Sequence, residues 1–141
     1  MSYVSVLSAA VAVEHQVVYG YGVAGARLGG RDRAAALDAL TSHRLRRDQL
    51  ARLLVERHVV PPAGEAAYAL PFPVPDATAA RRLAAALEDA CTGAAWDVVA
   101  ASAPGSEARA LGVSWLADAT TRGQAWRGAA TAGAVLPGHP A

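Results

Sequence analysis

The chain has 141 residues, 53% apolar but only 6% aromatic, with 13 basic side chains against 12 acidic ones. That length suits one domain, 1–141, with a real core, and so even a charge balance leaves no electrostatic footprint for nucleic acid. A single cysteine, Cys91, excludes an intrachain disulfide framework.

The apolar start has no Lys or Arg ahead of it and stops at Glu14 and His15. It lacks the basic region of a signal peptide and falls short of the ~18 residues of a membrane span. A cytoplasmic protein without membrane or nucleic-acid partners is expected.

Helical period first appears over 4–28, where Leu7, Val11, Glu14, Val18, Tyr21, Gly25 and Leu28 alternate by four and three on one stripe. Gly29-Gly30 stops it. A second helix is predicted over 32–58, capped by Asp32, with Ala36, Leu40, His43, Arg47, Leu50 and Leu54 inward. It must end before Pro61-Pro62. Residues 59–75 hold prolines at 61, 62, 71, 73 and 75 and read as an extended connector, with Tyr68, Leu70 and Phe72 packing onto the helices. The third helix, 76–103, carries Ala80, Ala84, Leu87, Cys91, Ala94, Val98 and Ala101, and Pro104-Gly105 break it. Ser106 caps a fourth over 106–127, with Leu111, Trp115, Asp118, Arg122 and Ala125 on its stripe. The Gly-, Ala- and Pro-rich tail 128–141 is expected to be loosely held.

Connection lengths set the expected topology. Short links force the first two helices, and the last two, into antiparallel hairpins. A 25-residue helix is about 37 Å long, and seventeen extended residues reach about 50 Å. The proline-rich segment can therefore run the length of the bundle and let the second and third helices lie parallel. An all-α, ferritin-like four-helix bundle of two hairpins joined by one long crossover is the predicted fold.

Polar residues on the inward stripes carry the functional argument. Glu14, His43, Glu88 and Asp118 each lie near the middle of a different helix, the arrangement from which bundle-core metal sites are built. A carboxylate-bridged iron or manganese pair, however, needs Glu-x-x-His on two helices, because i, i+3 spacing puts both groups on one face. The chain contains no Glu-x-x-His. Arg46, Arg47 and Arg122 lie close to the same stripes and would balance the acids while repelling a cation. The expectation is a metal-free Arg–carboxylate–His network of Glu14, His43, Arg46, Arg47, Glu88, Asp118 and Arg122. The alternative is iron or manganese held by Glu14, His43, Glu88 and Asp118.

Gly20, Gly22 and Gly25 spell G-x-G-x-x-G but lack the βαβ setting of a dinucleotide site, and read as places where a neighbour comes close. Cys91 reads as a small buried hydrophobe. Trp96, Trp115 and Trp126 read as core or interface anchors. No catalytic residue is expected.

Several runs resemble an actinobacterial family of unknown function: Glu14-His15 with 19–28, His43 to Asp48, Pro61-Pro62 with 66–74, then Leu87 to Asp89, Trp115 to Asp118 and Ala125 to Gly128. The resemblance implies a ferritin-like domain and brings no reaction with it. In the second helix His43-x-x-Arg46 stands where a di-iron protein has Glu-x-x-His, so iron oxidation is not implied. The reading as a whole is a non-enzymatic structural or interaction module, homo-oligomeric with a dimer favoured, its Ala- and Gly-rich faces allowing close packing. The alternative is a metal-binding protein or di-metal oxidoreductase with a reduced ligand set.

Overall fold

The computed structural model describes residues 1–128. These form four α-helices: α1 (Tyr3–Arg27), α2 (Gly30–Glu56), α3 (Ala77–Ala101) and α4 (Glu107–Arg127). No described residue is in a strand. The tail expected to be loose lies outside the described residues from 129 onward. No helix among the described residues is long and apolar enough to cross a membrane.

Caps explain three of the four starts. The side chains of Ser2, Asp76 and Ser106 accept from the backbone N–H groups of Ser5, Ala79 and Arg109, each satisfying a donor that the first turn cannot. α2 begins differently. Its cap is Gly29, which has no side chain to offer, and Gly30 turns sharply at φ +54°. The helix therefore starts two residues before the expected cap Asp32. That carboxylate sits in the first turn, where it favours the positive end of the helix, and accepts from Arg81 of α3 at 3.1 Å.

α1 packs along both α2 and α3, α3 packs along α4, and α2 touches α4 lightly. Leu7, Val11, Val17, Tyr21, Leu50, Leu54, Leu83, Cys91, Val98 and Trp115 are all fully buried. Small residues let the helices close. A Cβ at Gly20 would stand 2.7 Å from the methyls of Leu87, and one at Gly112 would stand 2.9 Å from Val99 Cγ2. Gly20 thus marks a close helix approach, as expected, whereas Gly22 and Gly25 meet nothing within 4 Å.

α4 shows a face different from the expected one. Ala108, Gly112, Trp115, Ala119, Gly123 and Trp126 are buried, while Asp118 and Arg122 stand at the edge and Ala125 is exposed. Close backbone approach selects the glycine- and alanine-bearing side over the more apolar Leu111, because packing density outweighs side-chain hydropathy where helices touch.

Residues 57–76 join α2 to α3 without helix. Val59, Leu70, Phe72 and Val74 pack onto the core, Tyr68 meets the Tyr19 ring edge-on at 5.8 Å, and the Arg82 guanidinium lies over Phe72. His58 opens this segment in the left-handed region, at φ 58°. Its N–H donates to Val55 O, and the Val59 N–H donates to Leu54 O, the paired bonds of a Schellman cap.

Left-handed backbone costs a residue with a Cβ about 1–2 kcal/mol, so His58→Gly should stabilise the fold by about 1 kcal/mol. A higher midpoint in urea unfolding checks it; an unchanged or lower midpoint would show that His58 is not held in this conformation.

Candidate functional site

A chain of polar groups crosses the middle of the bundle. It starts from Glu14, His43 and Glu88, on α1, α2 and α3, which are at most 1% exposed. His43 Nδ1 lies 3.0 and 2.9 Å from the two oxygens of Glu14, and Nε2 lies 2.8 Å from Glu88 Oε1. A carboxyl group at each ring nitrogen favours the doubly protonated ring, which donates from both, and the His43 pKa is raised accordingly. The charged ring offers no lone pair.

Three further side chains extend the chain. Tyr21, seven residues after Glu14 on the same face of α1, donates to Glu88 Oε1 at 2.6 Å and stacks on the His43 ring at 5.4 Å and 23°. The Trp126 indole N–H of α4 donates to the Tyr21 oxygen at 2.9 Å. The Cys91 thiol, three residues after Glu88 on α3, points at Glu14 Oε1 from 3.7 Å. All four helices thus hold one connected network. Glu88 Oε2 is buried without a partner among the described residues.

Electrostatics follow the geometry. Burial alone would lower the His43 pKa, but the hydrogen bonds and charges of Glu14 and Glu88 outweigh it and raise the pKa from 6.5 to about 9. Burial holds the Glu14 carboxyl above its usual range against the pull of the imidazolium. Burial and the two neighbouring carboxylates push the Cys91 thiol well up, so it stays protonated, and burial beside Glu88 likewise pushes up the Tyr21 hydroxyl.

The expected arginine partners fall elsewhere. Arg46 reaches across to α4, donating to Leu111 O at 3.0 Å and to Asp118 Oδ2 at 2.9 Å. That pair lies at the flank, with Asp118 46% exposed. Burial lowers the Arg46 pKa, and Asp118 partly restores it. Arg47 turns outward, its Nε donating to Asp48 at 3.0 Å, and Arg122 makes no ion pair among the described residues. The reason is helical phase. Arg46, three residues after His43 and four before Leu50, is on the bundle side, and its neighbour Arg47 is rotated about 100° away. The cation between the central acids is therefore an imidazolium and not a guanidinium.

Tyr21 and Cys91 were legible as inward residues but not as polar members. Their spacing from Glu14 and Glu88, by seven and three, is the signal that marks them. Nothing in the sequence around Trp126 marks it as a partner for Tyr21.

As metal ligands, Glu14, His43 and Cys91 offer donor atoms within 4.8 Å of one another. Asp118, held at the flank by Arg46, is not among them. Binding there would require His43 to lose a proton and the raised Cys91 thiol to ionise.

Removing the imidazolium leaves two buried acids facing each other, so His43→Gln should cost about 3–5 kcal/mol. Arg46→Met should also destabilise, by about 2–4 kcal/mol, while Arg47→Met should stay within about 0.5 kcal/mol. Urea unfolding of the three variants tests this ranking, and an Arg47→Met loss as large as that of Arg46→Met would refute it. The sign with pH is fixed as well. A histidine raised from 6.5 to about 9 in the folded state contributes stability that is full below pH 6.5 and lost as the pH climbs through 9, about 3 kcal/mol in all. Unfolding free energies across that window should fall for the wild type and stay flatter for His43→Gln.

The crystal structure of a conserved hypothetical protein, rv2844, from Mycobacterium tuberculosis superposes with a TM-score of 0.83, at 33% identity over 87% of this chain and 92% of that one. No curated protein matches. A family described as a domain of unknown function, DUF4439, matches residues 6–141. With nearly its whole length matched, the chain belongs to the DUF4439 family.

Proposed function

We propose that the chain is a metal-free, ferritin-like module, acting as a structural or interaction domain without chemistry of its own. The observation that carries this reading is the state of His43. Both ring nitrogens are occupied by carboxylates, and the ring is 1% exposed. An imidazolium sealed in this way can neither ligate a metal nor act as a base towards a substrate. Its work is to neutralise the acids and fix the register of the helices.

Ferritin-like connectivity is supported by the long segment 57–76 between α2 and α3 and by α1 packing on both of those helices. One long crossover between two hairpins is the ferritin-like variant of the bundle. Self-association, with a dimer favoured, is supported by exposed apolar side chains on three helices: Leu37 and Leu45, Trp96, and Val113.

A second reading keeps metal binding, because Glu88 Oε2 lacks a partner beside the donor atoms of Glu14, His43 and Cys91. Elemental analysis of protein purified without chelator separates the two. The module reading expects no stoichiometric iron or manganese and no change of thermal midpoint on adding a chelator. A stoichiometric ion that disappears in Glu14→Ala would refute it. Sedimentation velocity tests association: a dimer in the wild type that dissociates in Trp96→Asp or in Leu45→Asp is expected, and a monomer at all concentrations overturns that part.

A further inference from the structure

Outside the bundle, α1, α2 and the connector border an open cleft of about 580 Å³, within the usual size of small-molecule sites. One wall is the outer face of α1, with Tyr19 and Gly22. The second is α2, with Arg44 and Arg47. The third is the connector, with Glu65 and Tyr68.

Three features make this more than a gap. The connector wall is pinned: the His15 ring meets Pro62 O at 3.0 Å, the Glu65 N–H donates to the Tyr68 hydroxyl at 2.9 Å, and a Cβ on Gly64 would stand 2.8 Å from His15 Nδ1. Such a wall is ordered in advance, which lowers the entropy lost on binding. The cations are unspent. Arg44 is exposed and forms no hydrogen bond or ion pair among the described residues, and Arg47 uses only its Nε, on the adjacent Asp48. Among the described residues, Glu65 is the only acid lining the cleft. Finally, Tyr19 and Tyr68 meet edge-on at 5.8 Å and 61°, and the space above Gly22 is open, with nothing within 4 Å of where a Cβ would stand.

We propose that this cleft binds a small aromatic oxyanion, a flat ring system carrying a phosphate or a carboxylate. Arg44 and Arg47 take the anionic group through their guanidinium forks. The two tyrosines and the bare backbone at Gly22 take the ring, which needs a close approach and an aromatic edge. Neither half suffices, because the guanidinium groups are open to water and the apolar wall is small.

Amide chemical shifts during titration with 1-naphthyl phosphate and with 1-naphthoate test the proposal, and the better of the two names the anionic group. Saturable shifts confined to 15–23, 44–48 and 62–68 are expected. Inorganic phosphate and 1-naphthol, the separate halves, should bind at least about tenfold more weakly. Arg44→Met should weaken binding by about tenfold or more without moving the thermal midpoint, since Arg44 supports nothing in the fold. Gly22→Leu fills the open floor and adds a better helix former, so it should abolish binding while the midpoint holds or rises. No saturable shift with either probe, equal binding by Arg44→Met, or inorganic phosphate matching 1-naphthyl phosphate would each overturn the proposal.

Discussion

Two carboxylates sealed among leucines, alanines and tryptophans are the costliest feature of this chain, and the structure is arranged around the single ring that makes them tolerable. A buried carboxylate without a partner costs several kcal/mol. Glu14 and Glu88 come from helices that pack on each other, so they would also repel. His43 answers both problems because its two N–H groups point in opposite directions from a flat ring, one to each acid. A guanidinium would carry the same charge but needs room for a longer stem and five donors. The close contacts at Gly20 and Gly112 show how little room the interior has.

From that ring the network passes outward, by hydrogen bonds through Glu88 and Tyr21 to Trp126 and by the weaker contact of Glu14 with the Cys91 thiol, and in doing so fixes helix register. Sliding α2 by one residue would bring Ser42 or Arg44 to the acids. Rotating α4 would withdraw Trp126 from Tyr21. An apolar core in which alanine is the commonest residue tolerates such slips, since one small side chain replaces another at little change in volume. A polar network whose members each need a particular partner does not. The adjacent pair Glu14-His15 divides this labour. One side chain turns inward to the network, and the next, about 100° round the helix, turns outward and meets Pro62 O on the connector.

Much of this was legible before any coordinates. The cap Ser106, the Gly29-Gly30 and Pro104-Gly105 breaks and the proline-rich segment delimit the helices by local chemistry alone. Glu14 and His43 were legible as inward because leucines and valines recur around them at helical spacing, and Glu88 was legible only at the edge of its stripe, four residues after Ala84 and three before Cys91. Three things were not. Arg46 and Arg47 both fit the α2 stripe within one residue, and a guanidinium stem is long enough to serve either side, so periodicity could not choose between them. On α4 the buried face is marked by Gly112, Ala119 and Gly123, whose value lies in the absence of a side chain, and a hydropathy stripe passes over such residues. That error carried Asp118 and Arg122 inward on paper. The third is the cation between the acids. Counting charges by residue type treats histidine as neutral, whereas two carboxylates in contact raise its pKa to about 9. The counting rule fails where burial makes proton uptake favourable.

The interior and the outer cleft share their two helices in alternation. Glu14 and His43 face in; His15 and Arg44, each the next residue, face the cleft. Any force that rotated α1 or α2 to adjust the cleft would have to break the hydrogen bonds of His43 as well, and those bonds lie in a low-dielectric interior where electrostatic terms are large. The α1 and α2 walls of the cleft are therefore set by the interior, while the connector wall is held by its own contacts, the edge-on pair Tyr19–Tyr68 and the hydrogen bond from His15. The buried acids, bridged by His43, thereby stiffen two helices so that an exposed surface keeps its shape.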